Sequence, residues 1–443
     1  MAAIQPFRFL HTGDLHLDSP FAGLIADAPA HVSAALRDAT LGAWDRIVAL
    51  ALDERVDFVV VAGDAFEHAN RTLLAQVRFR DGLARLGAAG IGSFVVTGNH
   101  DPLSGWEPTV QWPASMHRFD ADAVGAVPVL RDGVEIARVY GISYAVRDVT
   151  DNLALRFRRE PDAPYAIGLL HANVGGQPGH QAYAPCTVSD LRATGIDYWA
   201  LGHVHKPAIL SPTRPTIVYC GNPQGRDPGE AEPRGCWVVD VAASGVANPR
   251  FVPVDAVRWC LLALSIEGIE SEDALVERAA AVVATARDDA GRGIVAQVTL
   301  TGRGPLHESL ARAGVLADVQ RLATERIGTP DGARWAWIAS IRNATLPAVD
   351  LATAGAPGTF LGELLAQAEA AREAFSDGPG DDADPTIDER MAATLEWEEV
   401  LDELYGHHRA RRLLAASRPD PERMAELLTE AERMAVDCLL EAG

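Results

Sequence analysis

The sequence is poor in cysteine and in basic residues, and it contains no long apolar run. Its 443 residues include five cysteines, which are widely spaced and odd in number. This usage argues against a disulfide framework and indicates reduced thiols. No apolar run approaches the roughly 20 residues that a bilayer-spanning helix needs. The first apolar run begins near the N-terminus, which leaves no signal peptide. We therefore expect a cytoplasmic protein with no membrane partner.

Basic residues are outnumbered, because 39 Lys and Arg stand against 61 Asp and Glu and give a formal net charge of −22. This excess of negative charge argues against nucleic-acid binding over the whole surface. It does not exclude local contacts in a cleft where metal ions neutralise phosphate charge. The chain is long enough for two or three globular domains.

The sequence does contain five polar blocks, each following a short apolar run. The apolar runs are Phe7–Leu10, Phe58–Val61, Phe94–Val96, Ile167–Leu170 and Tyr198–Leu201. The blocks after them are Asp14-Leu15-His16, Gly63-Asp64, Gly98-Asn99-His100-Asp101, His171 and Gly202-His203-Val204-His205. Such runs are typical of strands buried on both faces. Loops that leave the carboxyl ends of strands can point inward together, so we expect the blocks to share one site.

The residue types in these blocks indicate a site for two divalent metal ions. Carboxylate and imidazole ligands without thiolates favour Mn, Fe, Zn or Mg, and of these we expect Mn²⁺. A paired site needs one group that bridges both ions, and Asp64 is the natural candidate. Two bridged ions can activate a nucleophile and clamp a phosphoryl group for in-line attack.

His100 follows a proposed ligand, Asn99, so its imidazole is expected to face the same cavity without binding metal. A general acid that protonates the leaving oxygen fits this position, with Asp101 orienting the imidazole and raising its basicity. Each block alone has a plainer interpretation: Gly-Asn-His-Asp is a reasonable turn, and a single His171 after an apolar run is more often a core histidine. The five blocks together favour the metal site.

These blocks resemble those of the calcineurin-like metallophosphoesterase superfamily, and within it the SbcD-type DNA repair nucleases, particularly their YhaO-like branch. The resemblance covers roughly residues 7–255. It also rests on residues 11–21, Asn70-Arg71, Gly141-Ile142-Ser143-Tyr144 and Gly221-Asn222-Pro223-Gln224-Gly225-Arg226. The strand and helix pattern alone predicts an α/β fold. The resemblance implies a two-sheet sandwich flanked by helices, with loops converging on the metals.

The resemblance also implies a role for each block. The first metal would be held by Asp14, His16, Asp64 and His205. The second would be held by Asp64, Asn99, His171 and His203. His100 would be the catalytic histidine. Well-studied relatives carry a phosphate-positioning histidine three residues after the bridging aspartate, where this chain has Glu67. The candidates for substrate contacts are Glu67, His68, Arg71, Lys206 and Arg226.

The pattern predicts a catalytic domain over residues 1–255, with helices at Ala34–Asp53 and Thr72–Leu86, and a small α+β domain over 256–350. The elements of that second domain are strands at Trp259–Ile266, Ile294–Thr301 and Ala333–Ile341, a helix capped by Ser271 and a helix over Leu306–Arg326. This domain resembles the cap that contacts duplex DNA in SbcD-like nucleases. A purely structural or dimerising domain is the alternative.

Residues 351–385 are predicted to be a linker, because residues 376–384 are rich in Gly, Pro and Asp. Residues 386–443 are predicted to form helices that begin at the Thr386 capping box and at Asp420. An apolar stripe on the second helix must be buried. The resemblance implies that it binds the coiled-coil root of an SbcC-like ABC-type ATPase, and packing on the neighbouring helix is the alternative.

The expected function is therefore metal-dependent hydrolysis of DNA phosphodiesters, exonucleolytic and in partnership with the ATPase, in DNA repair. A rival enzyme class is a phosphodiesterase or phosphatase that acts on small nucleotides or other phosphoesters. A metal-binding scaffold without catalysis is a third interpretation, and the presence of His100 beside a full ligand set argues against it. Homodimerisation is left open.

Overall fold

The computed structural model describes residues 4–19, 21, 28–67, 72–105, 110–176, 181–328, 334–348, 360–376, 431 and 434–435. The chain forms two compact units. The first comprises Met1–Leu264, Ser271–Leu300 and Ala313–Asn343, and the second comprises Ser265–Glu270, Thr301–Arg312 and Ala344–Gly443. Among the described residues, no helix is long and apolar enough to cross a membrane.

Two large sheets and three helices make up most of the first unit. The strands are β1 (Phe7–Thr12), β2 (Phe58–Ala62), β3 (Gly92–Val96), β4 (Met116–Arg118), β5 (Gly125–Arg131), β6 (Val134–Gly141), β7 (Ala166–His171), β8 (Tyr198–Gly202), β9 (Ala208–Ser211), β10 (Thr216–Tyr219), β11 (Gly235–Val241) and β12 (Ala247–Pro253). The helices are α1 (Ala30–Asp53), α2 (Leu73–Ala88) and α3 (Val188–Ala193).

Each large sheet has six strands and a parallel centre. The strand orders are β12-β11-β1-β2-β3-β4 and β5-β6-β7-β8-β10-β9. The strands β1 to β4 run parallel to one another, as do β6, β7, β8 and β10. Neighbouring parallel strands end at the same edge of their sheet, and the loops that carry the polar blocks leave from these edges.

An apolar layer between the two sheets joins them into a sandwich. Phe9 of β1 stacks on Phe58 of β2 with ring centroids 5.1 Å apart, and Tyr198 of β8 meets Phe9 edge-on at 5.1 Å. A second cluster lies under α1 and α2 and includes the buried rings of Trp44 and Phe79. The predicted α/β sandwich flanked by helices is confirmed.

The two helices predicted for this part of the chain are present with shifted ends. The first begins at Ala30 rather than Ala34. The second begins at Leu73, because Thr72 is its N-cap and accepts a hydrogen bond from the backbone of Ala75 at 3.1 Å.

The predicted β-α-β-α-β alternation follows the sandwich. Its elements are β13 (Val257–Ser265), α4 (Glu272–Ala290), β14 (Gly293–Thr301), β15 (Arg303–Gly304), α5 (His307–Leu310), α6 (Val315–Ile327), β16 (Ala336–Asn343), β17 (Leu346–Pro347) and α7 (Phe360–Ser376). The main strands form a sheet in the order β13-β14-β16. Ser271 caps α4 as predicted, because its side chain accepts from the backbone of Ala274 at 3.2 Å.

One prediction for this part of the chain is wrong. The single helix expected over Leu306–Arg326 is two helices, because Gly314 adopts a left-handed φ of 89° just before α6 and interrupts the helical backbone. The linker expected over 351–385 contains the 17-residue helix α7. The stretch 377–384 and the predicted helix starts at Thr386 and Asp420 lie outside the described residues.

Candidate metal centre

The five polar blocks meet at the carboxyl ends of β1, β2, β3, β7 and β8. Backbone hydrogen bonds tie the blocks together. The N–H of Asp14 donates to Gly63 O at 2.9 Å, and the N–H of His16 donates to Asp64 O at 3.0 Å. The N–H of His203 donates to the Asp14 carboxylate at 3.0 Å. The loops of the two sheets are therefore held in one constellation.

The backbone of this constellation is strained. Asp14, His16 and Asp64 have φ values of 47°, 42° and 49°, in the left-handed region that costs a non-glycine residue about 1–3 kcal/mol. Close approach also requires glycine, since a Cβ at Gly98 would lie 2.3 Å from Asp64 Oδ1. Strain of this kind, repeated in adjacent blocks, is typical of a functional site.

Asp14, His16 and His205 form the first cluster of ligand atoms. The Nε2 atoms of His16 and His205 face each other at 3.2 Å. His205 Nδ1 lies 2.5 Å from Glu230 Oε1 and donates to it. His16 Nδ1 lies 3.2 Å from Glu67 Oε2, without the alignment of a hydrogen bond. Burial and then the charge of Arg226 lower the pKa of His16 to about 3, so its imidazole is neutral.

Asp14, Asp64 and His171 form the second cluster. His171 Nδ1 donates to Ala62 O at 2.9 Å, and its Nε2 lies 2.9 Å from Asn99 Oδ1 and 3.3 Å from Asp64 Oδ2. Burial lowers the pKa of His171, but the carboxylates of Asp64 and Asp14 raise it to about 9. Positive charge is therefore stabilised at this point of the site.

The arrangement of these atoms fits a pair of cations. In both clusters, imidazole and carboxylate ligand atoms lie within 4.8 Å of one another, while the opposite ring nitrogens of His171 and His205 donate elsewhere. Asp64 stands between the clusters, since its Oδ2 is 4.0 Å from His16 Nε2 and 3.3 Å from His171 Nε2. Carboxylate, amide and neutral imidazole groups are suitable ligands for hard and borderline divalent metals.

His203 is placed less directly than the other metal candidates. Its ring centroid lies 5.2 Å from that of His171. Its Nε2 donates to the carbonyl of Gln181 at 3.0 Å, so only Nδ1 can act as a ligand in this arrangement. His203 does not belong to any of the three-residue ligand groups found among the described residues.

The environment of His100 differs from the prediction. Its Nδ1 lies 2.5 Å from Glu67 Oε1. The predicted partner, Asp101, instead accepts backbone N–H groups from Gly98, Ala65 and Asp64 at 2.7, 2.8 and 3.2 Å. The expected Asp101–His100 pair is therefore replaced by a Glu67–His100 pair. The reason is that three backbone donors at the strand ends compete successfully for the buried Asp101 carboxylate.

A cavity of about 220 Å³ opens beside these clusters. It is lined by Asp64, Asn99, His100, Arg147, Gln181, Tyr183, His203 and His205. Sequence reasoning missed Arg147, Gln181 and Tyr183, because they come from loops remote in sequence from the blocks and no local motif marks them. It also missed Glu230, the partner of His205.

The other predicted substrate residues are distributed around the site. One guanidinium nitrogen of Arg226 donates to Ser19 Oγ at 3.1 Å and lies 3.6 Å from Glu67 Oε2. Lys206 is exposed next to His205 in the chain. His68 and Arg71 lie outside the described residues.

Comparison with known proteins agrees with this geometry. Residues 7–207 match the family described as calcineurin-like phosphoesterase. Residues 259–346 match the middle domain of the metallophosphoesterase YhaO.

Three curated relatives are similar to this chain. The uncharacterized metallophosphoesterase YhaO of Bacillus subtilis is 37% identical over 303 residues, which cover 68% of this chain and 73% of that protein. The DNA double-strand break repair protein Mre11 of Haloferax volcanii is 30% identical over 54% of this chain and 50% of its own length. A subunit of the SbcCD nuclease of Bacillus subtilis is 26% identical over 49% of this chain and 61% of its own length. The converging ligand groups, the matched family and the first of these relatives together show that the chain belongs to the calcineurin-like metallophosphoesterases and carries a YhaO-type middle domain.

Proposed function

We propose that this chain hydrolyses DNA phosphodiester bonds with two divalent metal ions, as an exonuclease of DNA repair in the cytoplasm. The observation that carries the hydrolytic part is the convergence of buried imidazole, amide and carboxylate acceptors beside a cavity that also contains His100. The DNA part is supported by similarity to relatives named for DNA break repair and for a nuclease.

The proposed ligands are those that the sequence indicated. The first ion is assigned to Asp14, His16, Asp64 and His205. The second is assigned to Asp64, Asn99, His171 and His203. When bound, the two ions supply positive charge to the phosphoryl group and activate water for in-line attack. Mn²⁺ is the metal we propose, on the basis of the oxygen and nitrogen ligands.

His100 is the proposed general acid. Glu67 accepts a hydrogen bond from Nδ1, so Nε2 is the ring atom available to a substrate in the cavity. The backbone N–H of His100 donates to Asp64 Oδ1 at 2.9 Å, which fixes the main chain of His100 relative to the proposed bridging ligand. Burial lowers the pKa of His100, but the hydrogen bond to Glu67 and the charge of Asp64 outweigh it and raise the pKa above its usual value. A protonated imidazole near neutral pH suits protonation of a leaving alkoxide.

Glu67 has a different role from the histidine that well-studied relatives carry at its position. One carboxylate oxygen contacts His100 and the other lies near His16 and Arg226. We propose that Glu67 positions His100, and that Asp101 acts by fixing the loops of β2 and β3. Arg147, Arg226 and Lys206 are the proposed contacts to substrate phosphates, together with the sequence candidates His68 and Arg71.

An SbcC-like coiled-coil ABC-type ATPase is the proposed partner, bound through the C-terminal segment after residue 385. The similarity to the SbcCD nuclease supports it. Co-purification of the two proteins should be lost when the chain is truncated after Gly380. Association that survives this truncation would contradict the assignment of the segment.

A phosphodiesterase of small nucleotides is the second candidate, and the net charge of −22 favours it. Duplex DNA is attracted to basic surfaces, whereas a small nucleotide needs only the site. The two candidates differ in the substrate that they turn over, not in the metal centre.

Degradation of end-labelled linear duplex DNA in Mn²⁺ tests the proposal. The wild-type chain should degrade DNA, and His100→Ala should not. His117→Ala is the matched control, because His117 is an exposed histidine on β4 that does not line the cavity. The contrary result is turnover of a small phosphodiester with no DNA degradation, whether or not the ATPase is present. It would favour the small-nucleotide phosphodiesterase over the DNA nuclease.

A further inference from the structure

A carboxylate outside the proposed ligand set lies directly behind His205. Glu230 Oε1 is 2.5 Å from His205 Nδ1, and the Glu230 side chain is only 12% exposed. Glu230 is 25 residues further along the chain and ends the short 3₁₀ helix Pro228–Glu230. No motif in the sequence marks it.

The loop that carries Glu230 is fixed by several hydrogen bonds. Asp227 caps the 3₁₀ helix, since its side chain accepts from the backbone of Gly229 at 2.7 Å. Glu230 Oε2 accepts from Asn222 Nδ2 at 2.9 Å and from the N–H of Arg226 at 2.8 Å. These two donors hold the second carboxylate oxygen, so the first is held toward His205.

Arg234 fixes the same pair through the backbone. Its guanidinium donates to His205 O at 2.6 Å and to Glu230 O at 3.0 Å. Arg234 is itself buried. The relative position of His205 and Glu230 is therefore determined by both main-chain and side-chain contacts, and not by a chance meeting of surface groups.

The chemical consequence concerns the tautomer of His205. An ionised carboxylate only accepts hydrogen bonds, so the proton of a neutral imidazole must be on Nδ1. Nε2 then carries the ring lone pair, and this is the atom that faces His16 Nε2 at 3.2 Å in the first cluster. Without Glu230, either ring nitrogen of His205 could carry the proton, and the ring could rotate away.

We propose that Glu230 is a positioning residue that holds His205 in the Nε2-ligating tautomer and so determines the affinity of the first metal ion. This inference rests on the ligand roles proposed above. Carboxylates that orient a metal-binding histidine contribute about 10–100-fold to metal affinity in other proteins. Glu230 acts on the first ion alone, because its described contacts are to His205 and to its own loop.

The test is a calorimetric titration of the metal-free full-length chain with Mn²⁺. Glu230→Ala should weaken one of the two binding steps by about 10–100-fold and leave the other unchanged. Glu230→Gln keeps an acceptor of the same size without its charge, so its loss should be smaller. His205→Ala identifies which step belongs to the first ion.

Asn222→Ala is the control for a purely structural effect. It removes a hydrogen bond to Glu230 and disturbs the same loop, but it does not touch the His205 ring. Its loss of affinity should be smaller than that of Glu230→Ala, because the N–H of Arg226 still holds Oε2 and the carboxylate still accepts from His205. Thermal unfolding of the metal-free variants checks that each is folded, and if Glu230→Ala does not fold, Glu230→Gln carries the comparison.

Three results would overturn the inference. They are unchanged binding in both Glu230 variants, an equal loss at both steps, and an equal loss in Asn222→Ala and Glu230→Ala. If His205→Ala itself leaves both steps unchanged, the proposed ligand assignment fails, and the inference fails with it. The two failures are therefore distinguishable.

Discussion

Charged side chains are arranged differently at the two ends of strands β1 and β2. The carboxyl ends of β1 and β2 carry the metal-centre residues. The amino ends carry a network of ion pairs beside a cavity of about 400 Å³. There, Arg8 contacts Asp240 at 2.6 Å and Glu54 at 2.8 Å, and Arg131 contacts Asp57 at 3.2 Å. At this end, Arg8 and Arg131 are paired within the chain.

At the carboxyl end, carboxylate, amide and imidazole ligand atoms lie close together. The ligand atoms of His16 and His205, and those of His171, Asn99 and Asp64, converge on one another in buried or half-buried positions. Burying two carboxylates beside the facing Nε2 atoms of His16 and His205 is costly unless positive charge lies among them, so their arrangement fits bound cations. The comparison also shows that cavity size alone does not identify a site, because the larger of these two cavities is the one beside the paired Arg8 and Arg131.

The largest effect is expected from breaking the proposed bridge. Asp64→Asn removes the negative charge of the proposed bridging ligand, so metal binding should weaken and turnover should fall by at least on the order of 10²–10³-fold. Metal content by mass spectrometry and phosphodiester turnover measure the two effects. Full activity in this variant would show that Asp64 is not the bridging ligand.

His100→Ala separates catalysis from metal binding. The imidazole contacts Glu67, and only the backbone N–H of His100 contacts Asp64, so His100 is not in the proposed ligand set. We expect kcat to fall by about 10²–10⁴-fold while the chain keeps both metal ions. Loss of metal together with activity would mean that His100 is a ligand rather than an acid.

Glu67→Gln should have a smaller effect that depends on pH. Glu67 raises the pKa of His100, so its neutral replacement should lower that pKa. An acid acts in its protonated form, and the rate falls as pH rises through its pKa. The alkaline limb of the kcat profile should therefore move to lower pH. In Glu67→Asp, which keeps the negative charge, the limb should move less than in Glu67→Gln. An unshifted limb in Glu67→Gln would show that Glu67 does not control the pKa of His100.

The smallest effect is expected at the amino end. Arg8 is 36% exposed, and partly exposed ion pairs contribute about 0–1 kcal/mol each. Arg8→Ala should lower the free energy of unfolding by about 1 kcal/mol in urea titration and leave turnover unchanged. A large loss of activity would show that this end also contributes to function.

The comparison explains which features could be predicted from the sequence. Strands β1, β2 and β8 were located within two residues, because buried apolar runs identify strands and polar ligands directly follow them. Helix α7 and the break at Gly314 were missed, since a weakly amphipathic segment and a single glycine give little local signal.

The site was predictable only where its chemistry is local in sequence. Asp14 and Asp64 come two residues after β1 and β2, and His171 is the last residue of β7, so a pattern could find them. Glu230 and Arg147 reach the site through loop geometry that no local pattern encodes. The role of Asp101 was misjudged, because adjacency to His100 in the chain did not reveal the three backbone donors that bind it.

The most direct test of the central claim is a crystal of the full chain soaked in MnCl₂ and measured at the manganese absorption edge. The account predicts two anomalous peaks, one beside Asp14, His16 and His205 and the other beside Asn99 and His171, with Asp64 between them. A single peak, or peaks away from these side chains, would contradict the account of a two-metal centre built from the five blocks.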